Sequence, residues 1–248
     1  MSGHSKWSTI KHAKAITDKK RGALFTKLAN AITIAAKNGG DPQTNFKLRV
    51  EIDKARSQNM PSANIDRAIK RGTGELLGEL LEEITYEAFG PSGIAILILV
   101  LTNNKNRSVS DIKNILSKFG GKFASEGAVK HLFEQKGVVI ANSKSQMAHG
   151  KDEIELLAID AGAQDLDEQN DTLLIYTKPN ELFAVKKSLE EKGIKVESAS
   201  LSMEPRDTIK IQDKETAQKI LKLMNAIDEH EDVCNSCANF EIEEEIIK

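Results

Sequence analysis

Residues 94–101 read IAILILVL, eight apolar residues without a polar interruption. An element with one wet face would break such a run every second residue, or every third and fourth. A membrane span needs about 20 apolar residues, so the run is far too short to cross a bilayer. Gly90-Pro91-Ser92-Gly93 before it is a turn signal, and Thr102-Asn103-Asn104-Lys105-Asn106-Arg107 after it is a polar loop. The segment is therefore expected to be a strand buried on both faces, with the rest of the chain supplying its cover.

The residues that follow supply part of that cover. Val109, Ile112, Leu116 and Phe119 recur at helical spacing over 108–119, and Gly120-Gly121 ends the helix. Residues 128–133 alternate, with Val129, His131 and Phe133 on one side, which predicts a second strand and makes a β-α-β unit. His131 then reads as a half-buried strand residue rather than a ligand or base. From 137 the order repeats in a fuller form. Strands are expected at 138–141, 163–167, 172–177 and 194–203. Helices are expected at 152–161 and at 180–192, the latter capped by Asn180. This β-α-β-β-α-β order is that of a ferredoxin-like sandwich. A last helix (214–228) and strand (232–242) cannot bury themselves alone. They are expected to return to the incomplete unit at 84–133, so that 137–203 is an insertion.

Ahead of these units the period is helical. Phe25, Leu28, Ile32 and Ala35 mark a helix over 22–38, stopped by Gly39-Gly40-Asp41-Pro42. A second helix over 44–58 has Leu48, Ile52 and Ala55 on one face, with Lys47, Arg49, Lys54 and Arg56 on the wet side. A third carries Ile65, Ala68 and Ile69 after Pro61 and is capped by Gly72. Residues 72–78 form a hinge to the next unit. The expected class is α+β with three domains: a three-helix bundle (1–77) and two ferredoxin-like α/β sandwiches. One of these is discontinuous (78–136 and 204–248) and the other is inserted in it (137–203).

Charge divides the chain in the same way. Residues 1–75 hold 15 Lys and Arg against 6 Asp and Glu, which leaves 20 against 31 for the remainder. The net charge of −2 thus conceals a basic head and an acidic body. The first 28 residues contain Lys6, Lys11, Lys14, Lys19, Lys20, Arg21 and Lys27 against the single acid Asp18, with the chain's one tryptophan, Trp7, among them. Cations suit phosphates and a flat ring suits a base, so the head is read as a polyanion reader.

Other chemistries leave no signature. The chain has no phosphate-binding glycine loop, dinucleotide fingerprint, zinc-protease helix or nucleophile elbow, and no nucleophile–base pair can be named. Cys234 and Cys237 lie in a strand-like segment three residues apart, which predicts opposite faces, no shared metal and no disulfide. Polar residues follow Met1. A cytoplasmic, non-enzymatic protein with no cofactor, no metal, no small-molecule substrate and no membrane partner is expected.

The head also carries a resemblance. Gly3-His4-Ser5-Lys6-Trp7, Ile10-Lys11-His12, Lys20-Arg21 and Phe25-x-Lys27-Leu28 resemble the opening of the YebC family, which includes the mitochondrial translational activator of cytochrome c oxidase. The likeness continues through Gly39-Gly40-Asp41-Pro42, Asn59-Met60-Pro61 and Arg67-Ala68-Ile69-Lys70-Arg71-Gly72. It resumes at Tyr86-Glu87, Gly90-Pro91-x-Gly93, Asn106-Arg107 and Gly120-Gly121. Near the end this chain has Ser236-Cys237-Ala238 where the family often has Val-Tyr-His, so no role of that tyrosine or histidine carries over. The resemblance implies three domains and a regulator of gene expression. Some members are labelled as DNA-binding transcriptional regulators, and others resemble translation factors acting on stalled ribosomes.

The leading expectation is a nucleic-acid-binding regulator. Lys6, Lys11, Lys14, Lys19, Lys20, Arg21 and Lys27 would meet phosphates, with Arg67, Lys70 and Arg71 extending the face. Trp7 and His12 would stack on bases, although Trp7 suits packing of the arm onto the first helix equally well. DNA and ribosomal RNA, the latter with the ribosome as partner, both remain open. A protein-interaction adaptor is the competing class.

Overall fold

The computed structural model describes residues 18–77, 80–142, 151–169, 172–242 and 246. It is a mixed α+β protein. Three helices come first: α1 (Asp18–Ala36), α2 (Phe46–Ser57) and α3 (Ser62–Gly72). Asn45 caps α2 by accepting from the Leu48 N–H, and its amide also donates to the carbonyls of Ala35 and Gly39, tying the turn between α1 and α2. Leu28, Ile32, Ala35, Leu48, Ile52, Ala55, Ile65 and Ala68 pack together between the three helices.

The apolar run forms β2 (Ala95–Thr102), paired antiparallel along its length with β1 (Glu82–Phe89). A short β3 (Lys122–Phe123) flanks β1, and β9 (Val233–Ala238) flanks β2, giving the order β3-β1-β2-β9. The strand from the chain's end thus pairs with one laid down well over a hundred residues earlier. On one face of β2, Ile96, Ile98 and Val100 pack on helices α4 (Lys105–Lys118) and α7 (Lys214–Glu229). On the other face Leu101 meets Ala31 and Ile34 of α1, and Leu97 meets Val129 and Phe133. Two layers therefore cover the strand, which is why it carries no polar alternation. Each isoleucine so buried contributes about 2–3 kcal/mol of transfer free energy.

The second sheet comprises β4 (Phe133–Asn142), β5 (Asp165–Gln169), β6 (Thr172–Thr177) and β7 (Val196–Pro205), in the order β5-β6-β4-β7, all antiparallel. Helices α5 (Lys151–Asp160) and α6 (Leu182–Glu191) cover one face through Ile154, Ala158, Val185 and Leu189. Two short parallel strands, β8 (Ile209–Ile211) and β10 (Phe240–Ile242), complete the described elements.

Several local expectations need correction. Residues 82–89 form a full strand, where the sequence shows only a lead into a turn. Residues 128–133 do not form a strand: Lys130–Leu132 is a 3₁₀ turn and β4 begins at Phe133. The buried Glu87 carboxylate organises that turn by accepting N–H bonds from Gly127, Val129 and Lys130 at 2.6, 2.6 and 2.9 Å. His131 is exposed there, not half-buried in a strand. Asn180 lies within a 3₁₀ turn (Pro179–Glu181), so the residue preceding α6 is Glu181. The single strand expected over 232–242 is broken at Asn239, whose side chain accepts from the Ala95 N–H at 2.6 Å. Residues 143–150, between β4 and α5, lie outside the described residues.

Candidate nucleic-acid interface

The third helix is seated on the first by an unusually close approach. Thr33 donates its hydroxyl to the Ala68 carbonyl at 3.1 Å. A side chain at Gly72 would collide with the Thr33 carbonyl and with the Ala36 methyl group. Gly72 is the last residue of α3, followed by Thr73 as its C-cap, so this glycine serves close packing rather than a left-handed cap. Ile65 and Ala68 are buried in the contact. The opposite face carries Arg67, Lys70 and Arg71 at i, i+3 and i+4, all exposed. None of the three side chains has a hydrogen-bond or ion-pair partner among the described residues. Lys70 and Arg71 occupy the last turn, where the helix dipole favours positive charge.

The other expected contacts divide. Lys6, Trp7, Lys11, His12 and Lys14 lie outside the described residues. Lys19, Lys20 and Arg21 fall in the first turn of α1, and Arg21 is exposed. Lys27 is turned inward: its ammonium donates to the Asp228 carbonyl at the end of α7 at 2.5 Å. It therefore ties the helices to the first sheet's layer. Lys37 to the Leu81 carbonyl (2.6 Å) and Lys47 to Glu83 (2.6 Å) do similar work beside residues 72–78.

The second helix also departs from expectation. Its supposed wet side is an interface, because α2 lies between the bundle and the second sheet. Val50 joins the core of that sheet. The Arg49 guanidinium sits 4.2 Å from the centre of the Phe183 ring, and Phe46 meets Phe183 edge-on at 5.2 Å. Asp53 pairs with Lys186 at 3.1 Å. Lys54 is half-buried, and its pKa is raised, chiefly by the Glu51 carboxylate, against the opposing effect of burial. Only Lys47 and Arg56 are exposed as expected. Sequence periodicity marks one apolar face and cannot tell solvent from a second protein layer that accepts arginine by stacking.

The cysteines require a correction too. Leu97 is registered with Cys237 and Leu99 with Asn235, but Val100 is registered with Val233, so Cys234 is the extra residue of a β-bulge. The bulge inverts the parity. Cys234 packs with Leu101, Ala31 and Ile34, and Cys237 packs with Ala95 and Leu97, so both lie on the α1 side of the sheet. Neither forms a disulfide. Among the described residues no group of three or more His, Cys, Asp or Glu side chains is gathered to hold a metal. No helix there is long and apolar enough to cross a membrane.

Comparison with known proteins places these elements in context. Residues 5–75 match a family model described as the TACO1/YebC protein N-terminal domain, and residues 81–240 match the TACO1/YebC second and third domain. A protein of Rubrobacter xylanophilus named "Probable transcriptional regulatory protein" is 49% identical, with 100% of this chain and 98% of that protein covered. One of the same name from Halothermothrix orenii is 45% identical over the same shares. A crystal structure of a conserved hypothetical protein from Aquifex aeolicus superposes with a TM-score of 0.88 at 43% identity, covering 98% of this chain and all of that one.

Proposed function

Because this chain belongs to the TACO1/YebC family, we propose that it is a non-enzymatic regulator of gene expression that acts by binding nucleic acid through its basic head. The observation that carries this reading is the α3 face: Arg67, Lys70 and Arg71 are exposed together and no carboxylate among the described residues neutralises them. Lys19, Lys20 and Arg21 at the start of α1, and Lys6, Trp7, Lys11, His12 and Lys14 before them in the sequence, are proposed as further contacts to the polyanion. Lys27 serves the junction with α7 instead. The names of the relatives favour DNA as the target.

A second reading, a cytoplasmic translation factor on ribosomal RNA, is favoured by where the described cations lie. Lys70 and Arg71 close a helix and would meet phosphates through their own side-chain charge, whereas a major-groove recognition helix presents its N-terminal residues to base edges. In either case the acidic body is a scaffold of two α/β units. We divide the chain at 1–77, 78–136 with 204–248, and 137–203, on the return of β9 to β2. Replacing Lys19, Lys20 and Arg21 by Glu separates these readings from an adaptor: loss of nucleic-acid binding is expected, and full retention would favour the adaptor. Crosslinking in cells then separates the targets, with promoter DNA recovered for transcription and ribosomal RNA for translation.

A further inference from the structure

A second cationic feature lies outside every residue assigned to binding above. An open groove of about 380 Å³ runs along α2, lined by Pro42, Gln43, Arg49, Ile52, Asp53 and Arg56. That size is within the range of ligand clefts. Its one acid is already neutralised, since Asp53 is held by Lys186 at 3.1 Å. Its two guanidiniums are not. Neither Arg49 nor Arg56 has an ion-pair partner among the described residues, and the buried Nε of Arg49 has no hydrogen-bond acceptor.

Arg49 is nevertheless fixed in place. Its guanidinium stacks 4.2 Å from the centre of the Phe183 ring and 5.9 Å from that of Phe46. A stacked guanidinium is weakly hydrated and pre-organised, so little freedom is lost when its remaining donors meet an oxyanion. Arg56, in the last turn of the helix, is exposed and carries its charge to the mouth of the groove. The two arginines are seven residues apart, about 10 Å along the helix axis. That spacing suits a ligand whose anionic groups repeat along its length.

We propose that this groove, along α2 and the turn before it, is a phosphodiester-binding site that receives a single strand of nucleic acid. Arg49 acts as a rigid bidentate anchor and Arg56 as the entry charge. The groove is open and its lining follows one face of α2, which admits an extended backbone. The inference rests on the nucleic-acid reading of the head and extends it from α3 to α2.

The test uses the full-length chain and a short fluorescent single-stranded RNA, with affinity measured by anisotropy across a salt series. Arg56→Ala is expected to weaken binding about 3- to 10-fold and to lower the slope of log affinity against log salt by about 0.7, the value for one lost single-strand phosphate contact. Arg49→Lys keeps the charge and loses the fork, so affinity is expected to fall with the slope unchanged. Unaltered thermal unfolding of Arg56→Ala, whose side chain has no hydrogen-bond or ion-pair partner among the described residues, shows that the fold is intact. The comparison variant is R67A/K70A/R71A. Loss in both variants supports the groove and the α3 face together. If only the triple variant loses affinity, the groove proposal is overturned and the α3 reading stands. If only Arg56→Ala loses affinity, the groove stands and the α3 reading fails, and loss in neither overturns both. Inorganic phosphate alone separates the sources: stabilisation of the protein by phosphate equal to that by RNA, abolished in Arg56→Ala, would make this a free-anion site and overturn the polymer assignment.

Discussion

The Nη2 atom of Arg107 lies 3.0 Å from each carboxylate oxygen of Asp232, joining the start of α4 to the entry of β9 across 125 residues of chain. Asp232 also accepts from the Ser108 hydroxyl at 2.6 Å and from Thr102 at 3.2 Å, and is only 8% exposed. Its own N–H donates to His230 Nδ1 at 3.2 Å, which leaves the His230 Nε2 proton facing Asp111 at 3.4 Å. This cluster fastens the chain's last strand to its first sheet. Asp232→Ala removes the acceptor that the Thr102 and Ser108 hydroxyls and the Arg107 guanidinium share, and is expected to cost about 2–4 kcal/mol. Ser108→Ala is expected to cost about 1 kcal/mol. Urea unfolding with an unchanged m-value checks both.

Acid should loosen the fold through two carboxylates. Burial pushes the Glu87 pKa up, but the N–H groups of Val129, Gly127 and Lys130 outweigh it and the net value is lowered. For Asp232 burial again raises the pKa, and the Ser108 and Arg107 hydrogen bonds with the Arg107 charge lower it overall. Both folded values lie below those of the unfolded chain. Their contribution is therefore complete above the ordinary carboxylate pKa of about 4, and is lost as pH falls through the folded values. Glu87→Gln replaces one acceptor oxygen by a donor facing backbone N–H groups. It is expected to cost about 2 kcal/mol at neutral pH and to flatten the acid limb of a stability-against-pH curve.

Gly72 tests the seat of the basic helix. Gly72→Ala places a methyl group against the Thr33 carbonyl and the Ala36 side chain, with backbone on one side that cannot yield. An overpacking cost of about 1–3 kcal/mol is expected, with α3 displaced from α1. Thermal denaturation gives the cost, and chemical-shift changes confined to the α1–α3 contact would confirm its origin.

Much of this was legible in residue order, and the failures share a cause. The unbroken run at 94–101 requires cover on both faces, and α1, α4 and α7 provide it. Helices with one clear apolar stripe, such as α3 and α7, declare themselves. By contrast β1 opens Glu82-Glu83 and closes on three consecutive buried residues, Tyr86, Glu87 and Ala88, so it has no two-residue alternation to read. The 128–133 segment has that alternation, yet it forms a turn because a carboxylate forty residues earlier captures its N–H groups. Arg49 looks like a surface residue until Phe183, on α6, supplies its ring. Long-range polar and stacking contacts leave no period in the sequence. The α3 cations were legible because their chemistry needs only a helix and solvent.

The most direct test of the nucleic-acid reading is the salt dependence of binding by the intact chain, to duplex DNA and to single-stranded RNA in parallel. Neutralising about five phosphates predicts slopes of about −4.5 for duplex DNA and −3.5 for a single strand, a loss of about 100- to 500-fold between 50 and 200 mM salt. R67A/K70A/R71A is expected to reduce the slope by about 2 on the preferred target. A flat salt response, or a triple variant that binds as tightly and as steeply as the unaltered chain, would contradict the assignment of the basic head.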